Sequence, residues 1–243
     1  MRSFLIAVQF LTCIPIRLSG YSCESEVRRS LNYYPLVGLV IGLLLCAMFW
    51  ALNETPDILT AALILAAWVL LTGGLHLDGF ADSADAWVGG LGDKEKTLAI
   101  MKDPRCGFAA VTAIVLILII NFSAIHVVVT NGEWEVLLLA PILGRTILPL
   151  LFLTTPYMRS QGLGAAFSNH DSWVTVCVLL ATMLIIIVSE TAVVWIVVTV
   201  TLVFSLLRKA MLSRIGGCTG DTAGALVVIT ETTALLVGLL VIP

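Results

Sequence analysis

The sequence predicts an all-α, polytopic integral membrane protein, and three observations lead to this fold class. Of its 243 residues, 59% are hydrophobic and only 12% are charged, whereas a soluble domain carries about 25% charged residues. The apolar runs are long enough for helices to cross a bilayer, where a helix satisfies its own backbone hydrogen bonds. Lysine and arginine fall almost entirely in alternate connections between these runs. We therefore expect a single transmembrane domain over residues 1–243.

Seven apolar runs are predicted to cross the membrane, because about 20 helical residues span a hydrocarbon core of about 30 Å. Only Ser189-Glu190-Thr191 separates the fifth run from the sixth, but residues 173–209 are too long for one crossing, which favours a hairpin. Ahead of the runs, residues 3–16 predict a short helix that lies in the interface or dips into the membrane. The seven runs are residues 35–52, 57–77, 107–130, 134–153, 173–190, 191–209 and 223–242.

The basic residues predict the orientation of the chain. All but one of the 13 Lys and Arg residues lie before the first run or in the regions 78–106, 154–172 and 208–222. The exception is Arg145, which lies within a run. Because cytoplasmic connections are enriched in Lys and Arg, we expect a cytoplasmic N-terminus and a C-terminus outside.

Charge and cysteine content exclude two classes of protein. The net charge is −3 and no basic stripe is present, so nucleic acid is not an expected partner. The six cysteines form no CxxC and no metal-finger spacing, which favours reduced thiols over a disulfide framework. The sequence does not fix the oligomeric state, and a homo-oligomer stays an open alternative.

The stretch Gly73–Asp85 carries three acids where the second apolar run ends. If this stretch continues the preceding helix, Asp78, Asp82 and Asp85 lie at i, i+4 and i+7 and share one face. Carboxylates on one face repel, so a cation is needed, and Mg²⁺ commonly joins such carboxylates to substrate phosphates. The alternative is that the three acids solvate a helix end. For His76, contact with a metal or phosphate and simple packing at a helix end are both open.

Several cations are candidates for binding phosphate. Lys102 and Arg105 flank Asp103-Pro104 before the third run, although they could serve membrane topology alone. A cation inside a span usually faces the bundle interior or a polar cavity. Arg145 therefore either contacts phosphate, pairs with an acid or extends toward the interface. Arg159 begins a loop with glycines that could enclose an anion.

A glycine-rich turn, residues 216–222, precedes the last run. Successive backbone N–H groups in such a turn can form an anion-binding concavity at a helix N-terminus. Asp221 could cap that helix or supply another metal oxygen. Glu231 lies deeper in the same span and is expected to pair with a cation, with Arg145 as the candidate.

At these residues the chain resembles the cobalamin synthase family, the adenosylcobinamide-GDP ribazoletransferases. The most specific match is the run His-Leu-Asp-Gly-x-Ala-Asp, and the matching segments occur in order along nearly the whole chain. They are Phe10-Leu11-Thr12 with Ile14-Pro15, Tyr34–Gly38 with Gly42, Thr72–Asp82 with Asp85, Lys102-Asp103 with Arg105 and Gly107, and Gly216-Gly217 with Thr219-Gly220-Asp221, Gly224-Ala225 and Glu231.

The resemblance implies an Mg²⁺-dependent, multi-pass enzyme of the cell inner membrane that acts late in cobalamin biosynthesis. The 3′-hydroxyl of α-ribazole, or of its 5′-phosphate, attacks the cobinamide phosphate of adenosylcobinamide-GDP, and GMP leaves. Asp78, Asp82 and Asp85 are expected to hold the metal, with His76 beside them in the catalytic site. Substrate binding is assigned to Gly73, Gly74, Lys102, Asp103, Arg105, Arg145, Arg159, Gly216, Gly217, Thr219 and Asp221.

Two other functions stay open from the residues alone. A different Mg²⁺-dependent membrane alcohol phosphotransferase would use a similar acid cluster. A transporter of small anions would place its polar groups near the midplane, usually on paired repeats.

The substitution Asp82→Asn is expected to abolish turnover while the protein still inserts into the membrane. The change removes one carboxylate charge from the proposed metal site, which weakens binding of Mg²⁺. GMP release by the purified variant at saturating Mg²⁺ measures the effect. Near-normal release would contradict the assignment of Asp82 as a metal ligand.

Overall fold

A computed structural model describes residues 1–18, 23–159, 174–179 and 193–241. These residues are almost entirely helical, and their β-structure is limited to an isolated bridge between Tyr157 and Cys218. The predicted all-α class is therefore confirmed.

Ten helices are labelled here in chain order. A 3₁₀ turn at Leu31–Tyr33 joins the second to the third, and residues 174–179 are also helical. The helices are α1 (Arg2–Leu11), α2 (Glu24–Ser30), α3 (Tyr34–Ala51), α4 (Asp57–Leu71), α5 (Leu75–Gly89), α6 (Lys94–Ile100), α7 (Phe108–Asn131), α8 (Trp134–Thr154), α9 (Val193–Ile215) and α10 (Gly220–Val241).

Five helical segments in the described part of the chain are long and apolar enough to cross a membrane. They are Glu24–Ala51, which comprises α2, the 3₁₀ turn and α3, together with α7, α8, α9 and α10. The bent pair of α4 and α5 adds a sixth if it is counted as one span. The chain is thus a multi-pass membrane protein. Apart from 174–179, the predicted run 173–190 lies outside the described residues.

The predicted span 57–77 is corrected at its end. Helix α4 stops at Leu71, and α5 starts at Leu75 after a bend of 85°. The bend follows from Gly73 and Gly74, whose φ values of 61° and 67° lie in the left-handed region that other residues rarely adopt. The acid-bearing stretch therefore forms a separate helix and does not continue the preceding one.

Helix α5 runs across the end of the bundle at which α10 begins. A Cβ added at Gly79 would lie 2.7 Å from the carbonyl oxygen of Asp221, and one added at Gly224 would lie 3.3 Å from the backbone of His76. Such small residues allow two helix backbones to approach closely. This crossing brings the first half of α5 against the first turns of α10.

Helix α1 packs beside this junction without being long enough to span. Its Ile6, Ala7, Val8 and Leu11 are buried, and the backbone N–H of Cys13 donates to the carbonyl of Leu71 at 2.7 Å. The predicted short N-terminal helix is confirmed for residues 2–11, whereas residues 12–16 are not helical. Its depth in the membrane stays a prediction.

Arg145 and Glu231 form an ion pair between α8 and α10 in the bundle interior. The side chain of Arg145 is fully buried. Glycine at position 144 makes room for the acid, since an added Cβ would lie 2.6 Å from the Cγ of Glu231. The expected pairing of these two residues is confirmed. It avoids an isolated charge inside the bilayer, which is energetically unfavourable.

Replacing Arg145 with Leu is expected to destabilise the protein strongly, since removing one partner of a buried pair costs about 3–5 kcal/mol. The double substitution Arg145→Leu with Glu231→Leu should recover much of the loss, because no buried charge is then left alone. Thermal unfolding in detergent measures both variants. A double variant no more stable than Arg145→Leu would contradict the pairing as the source of the effect.

Candidate functional site

A cavity of about 240 Å³ opens at the crossing of α5 and α10. Its carboxylates and imidazole come from these two helices, whereas α1, α3, α8 and the segment after α8 contribute apolar and aromatic groups. The lining residues are Phe10, Tyr34, Leu75, His76, Asp78, Gly79, Leu148, Phe152, Tyr157, Gly220, Asp221, Ala223 and Gly224.

Carboxylates create a negative potential beside this cavity. Asp78 is exposed on its wall, and Asp82 lies half-buried one turn further along α5. The pKa of Asp82 rises to about 6, first because burial disfavours the charged form and then because Asp78 and Asp221 are negative neighbours. A bound cation would relieve this repulsion.

Arg159 is the predicted cation that the structure brings to these acids. Its Nη2 lies 2.5 Å from a carboxylate oxygen of Asp221. The same nitrogen is 3.5 Å from the carbonyl oxygen of Met101. The pair places one positive charge between the segment after α8 and the first turn of α10.

Asp85 shares the helical register of the other two acids but is engaged elsewhere. Its carboxylate accepts hydrogen bonds from the backbone N–H groups of Gly107 at 2.5 Å and Ala110 at 2.9 Å. It thereby satisfies two backbone donors at the start of α7, which have no partners within that helix. Asp85 holds α7 against α5.

The donor set nevertheless fits a magnesium ion shared with a substrate. In the described part of the chain, no group of three or more His, Cys, Asp or Glu side chains is arranged to hold a metal. Mg²⁺ is usually held by one or two carboxylates together with substrate phosphates and water. Asp78 and Asp82, with the raised pKa of Asp82, meet that requirement. The assignment of Mg²⁺ stays a prediction.

His76 lies beneath the cavity and separates it from a smaller one. Its Nε2 is buried and has no hydrogen-bond partner among the described residues. It also lines an inner cavity of about 30 Å³ with Asn121 and Glu231. A space of this size with several polar partners is suited to one ordered water.

Arg145 does not line the outer cavity. Its pairing with Glu231 favours the acid-paired alternative over direct contact with phosphate. The physical reason is that the Arg145 side chain is fully buried, so its guanidinium is out of contact with solvent.

Lys102, Asp103 and Arg105 also lie away from the cavity lining. Arg105 binds Asp103 at 2.6 Å, and its side chain is 88% exposed. The hydrogen bonds from Arg105 lower the pKa of Asp103 to about 2. In this segment after α6, Arg105 and Asp103 form a local ion pair that faces solvent. Lys102 beside them is exposed.

The glycine-rich turn builds the start of α10. Gly216 has a φ of 80° and ends α9. Thr219 and Thr222 cap the new helix, since the N–H of Thr219 donates to the Thr222 hydroxyl at 2.9 Å and the N–H of Thr222 to the Thr219 hydroxyl at 3.2 Å. The buried Gly217 packs under the carbonyl of Pro156. Of the four residues of this turn assigned to substrate binding, only Asp221 lines the cavity, where Gly220 of the same turn lies beside it.

Two features near the cavity were not predicted, namely its four aromatic rings and the position of Lys94. Four aromatic rings line the cavity, and the amine of Lys94 would lie 3.3 Å from a Cβ added at Gly216. In the sequence, Tyr34, Phe152 and Tyr157 lie at or near predicted helix ends, which also fits residues that anchor a membrane interface. Phe10 and Tyr34 lie in segments that carry the family resemblance.

Fold and site together place the chain among multi-pass membrane proteins with a carboxylate-bearing pocket at one end of the bundle. The chain belongs to the cobalamin-5-phosphate synthase family, whose model matches residues 3–239. This confirms the resemblance seen in the sequence.

Relatives that carry the name adenosylcobinamide-GDP ribazoletransferase include proteins of three Pseudomonas species. The protein of Pseudomonas putida (strain GB-1) is 51% identical over 241 residues, which cover 97% of this chain and 98% of the relative. Those of Pseudomonas fluorescens (strain Pf-5) and Pseudomonas aeruginosa (strain UCBPP-PA14) are 48% and 49% identical; the alignments cover 97% of this chain in both cases, and 98% and 97% of the respective relatives. No solved structure matches the chain.

The substitution Asp85→Asn is expected to lower thermal stability, because an amide oxygen cannot replace both carboxylate acceptors at the start of α7. The loss should be about 1–2 kcal/mol, as for other helix caps. Asp82→Asn is the matched comparison and should leave the melting temperature unchanged or raise it, since it removes repulsion. Unchanged stability in Asp85→Asn, with GMP release lost as in Asp82→Asn, would instead make Asp85 a metal ligand.

Proposed function

We propose that this protein transfers the cobinamide phosphate of adenosylcobinamide-GDP to the 3′-hydroxyl of α-ribazole or its 5′-phosphate. GMP leaves, and adenosylcobalamin or its 5′-phosphate forms. The observation that carries this proposal is the match of residues 3–239 to one family whose relatives bear the corresponding transferase name. The carboxylate-lined cavity is consistent with the reaction, since phosphate transfer depends on positioning and charge stabilisation.

In the chemical step the carboxylates have two roles, to hold the metal and to accept a proton. The acceptor oxygen forms a bond to the phosphorus next to cobinamide, the bond from that phosphorus to the oxygen of GMP breaks, and the hydroxyl proton moves to a carboxylate. Asp78 and Asp82 would hold Mg²⁺, which supplies charge neutralisation for the diphosphate when bound. A carboxylate beside the cavity that does not hold the metal, such as Asp221, would be placed to accept that proton.

Arg159 and Asp221 supply the second side of the site. The side chain of Arg159 is 26% exposed beside Asp221, and its guanidinium can contact a phosphate oxygen without leaving that carboxylate. Arg145 acts at a distance, by holding α8 and α10 together through Glu231.

The proposed location is the inner membrane, with the cavity facing the cytoplasm and the C-terminus outside. The distribution of lysine and arginine supports this orientation. The cavity lies at the start of α10, close to Lys94 and Arg159, which is the basic end of the bundle. The lipid bilayer and the two substrates are the partners that the proposal needs.

The test is GMP release by purified protein in nanodiscs supplied with adenosylcobinamide-GDP, α-ribazole and Mg²⁺. Release should need both substrates, stop when EDTA removes Mg²⁺, and return when Mg²⁺ is restored. Asp78→Asn should reduce release at least a hundredfold, about 2.7 kcal/mol of transition-state stabilisation. The matched control is Glu95→Gln, an exposed acid on α6 outside the cavity lining, which should keep normal activity.

Two results would contradict the proposal. The first is flux of a small anion across vesicles without GMP release, which indicates a transporter. The second is transfer of the phosphate to a lipid or alcohol acceptor but not to α-ribazole, which indicates another phosphotransferase.

A further inference from the structure

We propose that the aromatic wall of the cavity binds the flat, apolar base of the acceptor nucleoside, while the corrin ring of the donor stays outside. This inference rests on the proposed function and specifies which substrate occupies the cavity. The aromatic wall is defined as Phe10, Tyr34, Phe152 and Tyr157.

The aromatic wall is assembled from separate parts of the chain. Phe10 of α1 stacks on Tyr34 of α3, with ring centroids 6.3 Å apart and planes 28° apart. Phe152 of α8 meets Tyr157 edge to face at 6.1 Å and 62°. Both arrangements are favourable ring pairings, which fix the ring orientations before a ligand arrives.

The rings are not simply anchors at the membrane interface. An interface anchor exposes its polar end to the lipid headgroups. Tyr34 is 1% exposed, and all four rings line the cavity. Phe10 is 36% exposed, so the feature that the four rings share is contact with the cavity.

The size of the cavity selects among the parts of the two substrates. A volume of about 240 Å³ is below the range of pockets for drug-sized ligands, about 300–1,000 Å³. A bicyclic base with part of its ribose suits this space. A corrin macrocycle with its amide side chains is far too large to enter, so it lies outside.

The polarity of the cavity lining then favours the base of ribazole over guanine as its occupant. Guanine carries several hydrogen-bond donors and acceptors on its edge, and burying them without partners is unfavourable. The base of ribazole is a benzimidazole with two methyl groups and no exocyclic polar group. The wall is mostly hydrocarbon, since two phenylalanines and two leucines line it beside two tyrosines whose only polar groups are their hydroxyls, and it suits the latter.

The same placement orients the acceptor for reaction. The polar side of the cavity holds Asp78 and Asp221 on α5 and α10, whereas Phe152 lies on α8. A base held at the aromatic wall directs its ribose toward those carboxylates. The hydroxyl that loses a proton is then next to groups that can accept it.

The first test compares Phe152→Leu with the matched control Phe122→Leu, a half-buried ring on α7 outside the cavity lining. Loss of base stacking should raise the KM for α-ribazole about tenfold. The KM for the donor and the kcat should stay within about twofold. The control should change neither KM. A raised donor KM with an unchanged acceptor KM would overturn the inference, even though GMP is still released.

The second test uses the unaltered protein, so it does not depend on the folding of a variant. Free 5,6-dimethylbenzimidazole should inhibit GMP release competitively against α-ribazole and not against the donor. Guanosine should be at least tenfold weaker as a competitor of α-ribazole. Competition of the benzimidazole with the donor, or equal competition by guanosine, would overturn the assignment. Absence of GMP release from the unaltered protein would refute the proposed function instead.

Discussion

The close contact between the backbones of α5 and α10 is the constraint on which the rest of the site depends. Gly79 meets the backbone of Asp221, and Gly224 meets that of His76, with no space for a Cβ at the first contact. Any larger residue at Gly79 must separate the helices. The contact places acids from two distant parts of the sequence around one cavity. The negative potential, the position of Arg159 and the fit for a cation all follow from it.

The membrane fold is largely predictable because hydropathy reports a property of each segment by itself. Long apolar runs identify α3, α7, α8, α9 and α10, with ends displaced by a few residues. The pairing of Arg145 with Glu231 is predictable for the same kind of reason, since each charge needs a partner inside the bilayer. The bend before α5 was not predicted, although the two glycines that cause it are visible in the sequence.

The site is less predictable because spacing defines a face of a helix but not what that face contacts. Asp85 lies on the helix face expected for a metal ligand, yet its carboxylate accepts hydrogen bonds from the backbone at the start of α7. Lys102 and Arg105 have the charge for phosphate, yet their segment faces solvent. The four aromatic rings come from α1, α3, α8 and the segment after it, and no local pattern unites them.

The cavity is built from both ends of the chain. Phe10 comes from the first helix, whereas Asp221 and Gly224 come from the last one described. Membrane helices insert in order during synthesis, so a chain that lacks its last helix has an open cavity without Asp221 and without a partner for Arg145. The cavity and the buried ion pair are therefore complete only after α10 has inserted, so an interrupted chain carries an unpaired arginine within its bundle.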